Sequence, residues 1–201
     1  MTTNATPSAA PSATLRCVAD LVRLVEGGER VKYAFFWGHQ PQADASVGAG
    51  CFSQWWPSAF SVEGVDGVDG VEFATAEHYM MHRKALLFDD AEAAVKVLTV
   101  RHPSAAKAVG RTVRGFDEEV WARHRFGIVT DASVAKFSSD AALRAYLLGT
   151  GDRVLVEASP RDRIWGIGMG AGNEKASSPA RWQGLNLLGF ALMQARDALR
   201  A

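Results

Sequence analysis

The stretch AEHYMMHRK, residues 76–84, carries a carboxylate, two methionines and an amine on one helical segment. At 3.6 residues per turn, a separation of seven returns Glu77 and Lys84 to nearly the same face, roughly 10 Å apart along the axis. Met80 and Met81 lie between them. Helical side chains lean toward the N-terminus, so the Lys84 stem is expected to reach back over the methionines toward Glu77. That arrangement is a cradle for a small reacting group.

Thr75 precedes this segment and can cap it, and from there the chain turns helical. Helices are predicted near 75–88, 89–99, 103–113, 117–136, 138–149 and 184–200, with Asp, Ser or Thr near several starts and Gly near several ends. Upstream, Thr14 reads as an N-cap for an amphipathic helix in which Leu15, Val18, Leu21, Val22 and Val25 recur at helical spacing until Gly27-Gly28. VKYAFFWG, residues 31–38, is rich in β-branched and aromatic residues and reads as a strand that delivers Trp37, Gly38 and His39 to its exit. SVEGVDGVDGVEF, residues 61–73, reads as a hairpin, because Asp-Gly pairs favour the positive φ angles of tight turns. VLVEAS, residues 154–159, is a further short strand. The expected fold is mainly α, at the margin of α+β: a single helical domain over residues 14–201 with a small β-sheet. Residues 1–13, small and polar with two prolines, read as a disordered tail.

Composition narrows the function. Lys+Arg and Asp+Glu both number 22 among 201 residues, so no net positive field draws the chain to nucleic-acid phosphate or anionic lipid. No apolar run approaches the roughly 20 residues of a membrane helix, and the N-terminus lacks the charged start and apolar centre of a secretion signal. Two cysteines, Cys17 and Cys51, are too few for a disulfide framework, which points to a reducing, cytoplasmic setting.

Several motifs invite sharper readings. His78 and His82 have the i, i+4 spacing of a helical metal pair, but Glu77 precedes the first His instead of following it and no third ligand is nearby in sequence, so no metal is expected. Gly166, Gly168 and Ala171 satisfy G-x-G-x-x-A on paper, yet no helix is expected directly after them, and no dinucleotide or other cofactor is predicted. The loop instead reads as flexible, with a backbone able to approach a ligand closely. Asp66 and Asp69 lack the carboxylate count of a calcium loop. Trp55 and Trp56 are adjacent and precede Pro57, so one of them is expected to be exposed or to line a cleft, where an indole suits stacking on a base. Asp162, flanked by Arg161 and Arg163, reads either as a solvated turn residue or as an ionised site residue beside a phosphorylated or cationic ligand.

Taken in order, the blocks FFWGHQP, CFSQWWPSAF, AEHYMMHRKA, EEVWARHR, RDRIWGIGMG and GLNLLGFALMQARDAL resemble the NADAR, or YbiA-like, family from about Lys32 to the end of the chain. The resemblance implies a single mainly helical domain and N-glycosidase activity on the bond between ribose C1 and an exocyclic amine. It implies as substrates early phosphoribosylamino-pyrimidine intermediates of riboflavin synthesis, or ADP-ribose attached to the guanine amino group, free or in nucleic acid. Carried over by motif, the implied catalytic residues are Glu77, Lys84, Trp121 and Asp162. The implied substrate-binding residues are Trp37, Gly38, His39, Ser53, Gln54, Trp55, Trp165 and Gly166. This chain departs from the pattern at Ser53-Gln54-Trp55, where many relatives read Ser-Asn-Phe, and at Ile167, where an acidic residue often follows Trp-Gly.

In such a site, Lys84 would attack C1 to form a Schiff base, with Glu77 moving the protons and Asp162 stabilising cationic character at C1 or orienting a ribose hydroxyl. Direct attack by water, with Glu77 and Asp162 as a carboxylate pair, is the alternative route and needs no adduct. A module that binds ADP-ribose or a nucleotide without cutting it is the alternative function. Protein partners and oligomeric state are unreadable.

Overall fold

The computed structural model describes residues 15–44, 46–63 and 70–201. Its elements are α1 (Val18–Glu26), β1 (Tyr33–Phe36), β2 (Phe60–Val62), β3 (Val71–Phe73), α2 (Ala76–Leu87), α3 (Ala91–Thr99), α4 (Pro103–Arg111), α5 (Glu118–Ser139), α6 (Ala141–Leu148), β4 (Val154–Glu157) and α7 (Leu187–Arg200), with a 3-10 turn at Ala49–Phe52. The mainly helical architecture with a small amount of sheet matches the expectation.

β1 and β4 pair in parallel, Tyr33 opposite Val154 and Phe36 opposite Glu157, and β2 pairs antiparallel with β3. The parallel pair explains why Tyr33–Phe36 and residues 154–156 are apolar without alternation: α7 packs against β4, and Val154, Leu155 and Val156 are all buried. The expected hairpin is present in its two strands. Its tip, with Asp66 and Asp69, lies outside the described residues, as do Thr14 and the expected tail. Helix α1 begins at Val18, where the Asp20 carboxylate accepts hydrogen bonds from the Arg16 and Cys17 N–H groups at 3.0 and 3.2 Å.

Helix α2 is buried nearly all round. Glu77, His78, Tyr79, Met80, Met81 and His82 are all inside, because α3, α4 and α5 pack around it. As expected, Thr75 caps it, its hydroxyl accepting from the His78 N–H. Gly110 of α4 lets the two helices approach closely, since a Cβ there would collide with the Met81 side chain. Asp140 ends α5 and caps α6, its carboxylate accepting from the N–H groups of Ala142 and Leu143 at 2.7 and 3.0 Å.

One polar clamp inside the core sets the position of the segment before the hairpin. Lys136 of α5, 1% exposed, donates to the Cys51 and Ser53 carbonyls at 2.6 and 2.9 Å. Burial pulls its ammonium down to about 7. Lys136→Met would keep the volume but leave two buried carbonyls unpaired, each worth about 1–3 kcal/mol. The expected result is a loss of about 2–4 kcal/mol in a denaturant titration, with Gln54 and Trp55 loosened. An unchanged unfolding midpoint would remove the clamp from the account.

Candidate active site

A cavity of about 580 Å³ opens where the C-terminal ends of β1 and β4 meet helices α2 and α4 and the first turn of α5. Its size suits a small ligand. Strand β1 ends at Phe36, and Gly38 adopts φ +82, a left-handed turn that brings Trp37, Gly38 and His39 to the rim. The 3-10 turn held by Lys136 delivers Ser53, Gln54 and Trp55. Of the two adjacent tryptophans, Trp55 lines the cavity and Trp56 packs on the core. The His39 and Trp55 rings lie 5.6 Å apart.

Eleven of the twelve residues singled out from sequence line this one cavity: Trp37, Gly38, His39, Ser53, Gln54, Trp55, Glu77, Lys84, Trp121, Asp162 and Trp165. Gly166 does not. It stands behind the wall, where a Cβ would sit 2.7 Å from the Glu157 carbonyl oxygen, so glycine is required there by loop–strand packing.

Glu77 is 2% exposed and its Oε1 has no hydrogen-bond partner. Its backbone N–H is tied to the Gln54 carbonyl at 3.0 Å. Burial pushes its carboxyl up to about 7, and Asp162 adds to the rise, while the Lys107 charge and a hydrogen bond from the Trp55 side chain oppose it. A carboxyl poised there can give or take a proton at neutral pH.

Lys84 also faces the cavity, but its stem does not lie along its own helix as expected. Nζ crosses to α4 and donates to the Gly110 carbonyl at 2.8 Å, 3.9 Å from the centre of the Phe116 ring and 5.6 Å from that of Trp121. Burial lowers its pKa and the Glu118 charge partly restores it. The desolvating wall is thus aromatic, built by Phe116 and Trp121, in addition to the methionines.

Asp162 uses one oxygen to hold its own loop. Its Oδ1 accepts from the N–H groups of Ile164 and Trp165 at 2.8 and 2.7 Å, which fixes the turn that aims Trp165 at the cavity. The glycine-rich segment beyond is pinned, contrary to the flexible reading. Ile167 N–H donates to Glu157 O, Gln183 N–H to Ile167 O and Asn186 N–H to Gly166 O, so Gly166 and Gly168 serve close packing within the protein. Ile167 itself is fully buried in the core.

The paired histidines of α2 are structural neighbours. His78 Nδ1 lies 2.8 Å from the Thr75 hydroxyl and Nε2 lies 3.2 Å from the Val100 carbonyl, while the His82 ring stacks edge-on to Phe73 at 5.3 Å. Among the described residues no group of three His, Cys, Asp or Glu side chains is arranged to hold a metal ion. Among the described residues no helix is long and apolar enough to cross a membrane.

Three charged residues in the cavity wall escape the sequence reading, Lys107 and Arg111 of α4 and Glu157 at the end of β4; Arg161, read from sequence only as a neighbour of Asp162, joins them there. Lys107 and Arg111 are four apart on a helix, so they share a face. That spacing was legible, but which neighbour the face meets was not. Glu157 closes an apolar strand, which was its only signal.

Comparison with known proteins places these features in a family. The NADAR domain profile matches residues 35–200. The chain is 41% identical over 169 residues to N-glycosidase R617 of Acanthamoeba polyphaga mimivirus, covering 84% of this chain and 97% of that one. It is 32% identical over 157 residues to the chloroplastic riboflavin biosynthesis protein PYRR of Zea mays, covering 75% of this chain and 23% of that longer protein. The solution structure of the E. coli protein YbiA superposes with a TM-score of 0.62 at 27% identity, covering 85% and 88% of the two chains.

Proposed function

The chain belongs to the NADAR family, and on that premise we propose that it is an N-glycosidase that hydrolyses the bond between ribose C1 and an exocyclic amine. The observation that carries the reading is the placement of Glu77, buried with a free carboxyl oxygen, in the same aromatic-walled cavity as the half-buried amine of Lys84. The name of the mimivirus relative supports the same activity.

In the reaction we propose, the sugar sits with C1 between Glu77 and Lys84. Loss of a proton turns the Lys84 ammonium into a nucleophile, and the lowered pKa reduces the cost of that step. Attack at C1 and departure of the amine leave a Schiff base that water then hydrolyses, with Glu77 moving protons. Asp162, whose Oδ1 is engaged with backbone, would use its remaining oxygen to orient a ribose hydroxyl or stabilise positive charge at C1. Trp121 walls the site beside the Lys84 ammonium, and Trp55 or Trp165 offers a face for the base.

The rim cations bear on the substrate. Lys107, Arg111 and Arg161 border a cavity in a chain with no net charge, so they supply a local attraction for an anion. This favours a phosphorylated sugar, as in ADP-ribosylated guanine or a phosphoribosylamino-pyrimidine of the riboflavin route, the process named for the maize relative. Offering both compounds side by side and measuring released sugar tests the reading. Release from either supports it, and retention of a bound ligand without release turns the protein into a binding module. Arg111→Ala is expected to raise KM by about tenfold or more with kcat little changed, since a phosphate contact far from C1 contributes to ground and transition states alike.

A further inference from the structure

The cavity holds a carboxyl that none of the sequence blocks assigns to the chemistry. Glu157 is the last residue of β4, and its main chain is fixed at three points. It pairs with Phe36, its N–H donates to Asn186 Oδ1 at 2.9 Å, and its carbonyl accepts from the Ile167 N–H at 2.9 Å. The backbone therefore has its partners without the side chain. The side chain lines the cavity, and its Oε2 is buried without a hydrogen-bond partner, as is Oε1 of Glu77. A buried carboxyl oxygen left unpaired costs stability, and a strand end gains nothing from it that an apolar residue would not supply. Two such oxygens in one cavity mark a place where a ligand supplies or receives hydrogens.

Resting on the N-glycosidase reading, we propose that Glu157 is a further catalytic residue: it enters the cycle protonated and gives its proton to the departing amine, leaving Glu77 free to take the proton of the nucleophile. The protons balance. Glu77 takes a proton from Lys84, or from water on the direct route, as the new bond to C1 forms. The C1–N bond breaks with its electron pair going to nitrogen, and nitrogen takes the Glu157 proton, so the amine leaves neutral. On the Schiff-base route, water then adds to C1, its protons going to the Lys84 nitrogen and the released sugar as the bond between them breaks; on either route the proton held by Glu77 then passes to Glu157, which restores both carboxyls.

The division of labour follows from what faces each group. Three carboxyls, Glu77, Glu157 and Asp162, converge on one partly desolvated space and cannot all be ionised at low cost. Lys107 and Arg111 from α4, Arg161 from the loop after β4, Lys84 from α2 and His39 beyond β1 also border it. Burial and the Asp162 charge push Glu157 up to about 8, with Lys107 opposing. Glu77, with Lys107 and the Trp55 hydrogen bond on its side, stands at about 7. Glu77, on the same helix as Lys84 and steadied by the Trp55 hydrogen bond, is placed to be the base, and Glu157, across the cavity at the end of β4 with its Oε2 unpartnered, to be the acid.

The test compares wild type with Glu157→Gln and Glu157→Asp on two ribosyl phosphates, one carrying a basic arylamine at C1 and one an electron-poor nitroarylamine. Glu157→Gln is expected to lower kcat about 10²-fold on the basic amine and less than about tenfold on the nitro compound, which departs without protonation. It should also lose the alkaline fall in kcat, and Glu157→Asp, still an acid, should recover part of the rate and keep that fall. Thermal unfolding confirms that each variant is folded. An infrared difference spectrum of wild type minus Glu157→Gln at pH 7, without substrate, should show a protonated carboxyl band. Equal loss on both substrates, full activity, an unchanged alkaline limb or no such band overturns the role of Glu157 while an active wild type keeps the N-glycosidase reading. A wild type inert toward every N-ribosylated amine sinks both.

Discussion

Lys84→Ala should lower turnover by about 10²–10⁴-fold, about 3–5 kcal/mol of transition-state stabilisation, while the protein stays folded. Sodium borohydride added during turnover should trap an enzyme–sugar adduct in wild type and none in the variant. The expectation rests on where the amine stands. Its Nζ is held by one neutral acceptor, the Gly110 carbonyl, and lies 3.9 Å from the Phe116 ring centre, so a cation there is partly stripped of water. Burial lowers its pKa, which raises the fraction of neutral amine at a given pH. Stability should change little, because the lysine is half-buried at the wall and its removal leaves a single carbonyl facing an open cavity. Normal turnover by Lys84→Ala would end the covalent route and leave water activated by a carboxylate as the nucleophile. Loss of turnover with no trappable adduct in wild type would give the lysine an electrostatic role only.

Glu77→Gln carries the second large effect, and it has opposite signs for activity and stability. Turnover should again fall by about 10²–10⁴-fold, because the amide cannot take a proton. The stability change follows from linkage. The folded carboxyl sits at about 7 against an ordinary 4.5, so between those values the native state binds more protons than the unfolded state. Wild-type stability from this group is therefore intact below about pH 4.5 and is lost as the pH rises toward 7. Glu77→Gln removes that loss. At pH 8 the variant should be more stable than wild type by an amount of the order of 3 kcal/mol, and near pH 4.5 the two should converge. Denaturant titrations at the two pH values measure this. A variant less stable than wild type at pH 8 would show that Glu77 is a structural ion, paired and satisfied, rather than an acid–base group held under strain for function.

Much of the fold could be read along the chain because its signals are local. The cap at Thr75, the apolar runs at residues 31–38 and 154–159, and the Asp-Gly pairs between two short strands each act over a few residues. The helical segment of residues 76–84 was equally legible. Its two ends, Glu77 and Lys84, do face one cavity, although the lysine crosses to α4 instead of lying back along its own helix. The reason for that difference is tertiary. Gly110 brings α4 against Met81, and the carbonyl it presents offers the ammonium a hydrogen bond that the apolar methionines do not.

Residue order alone decided the element types, their sequence and the presence of a carboxylate–amine pair two helical turns apart, because periodicity, capping and turn chemistry are encoded within about ten residues. Only the tertiary structure decided what surrounds that pair. Lys107, Arg111, Glu157 and Arg161 come from α4, the end of β4 and the loop after it, all more than 20 residues from Lys84, and no local pattern states which helix face or strand end will meet which. The chemical consequence is just as non-local. Glu77, read along the chain, is an ordinary acidic side chain on a helix. It becomes a carboxyl titrating at about 7 only because α3, α4 and α5 close around α2 and remove the water that would otherwise stabilise its charge.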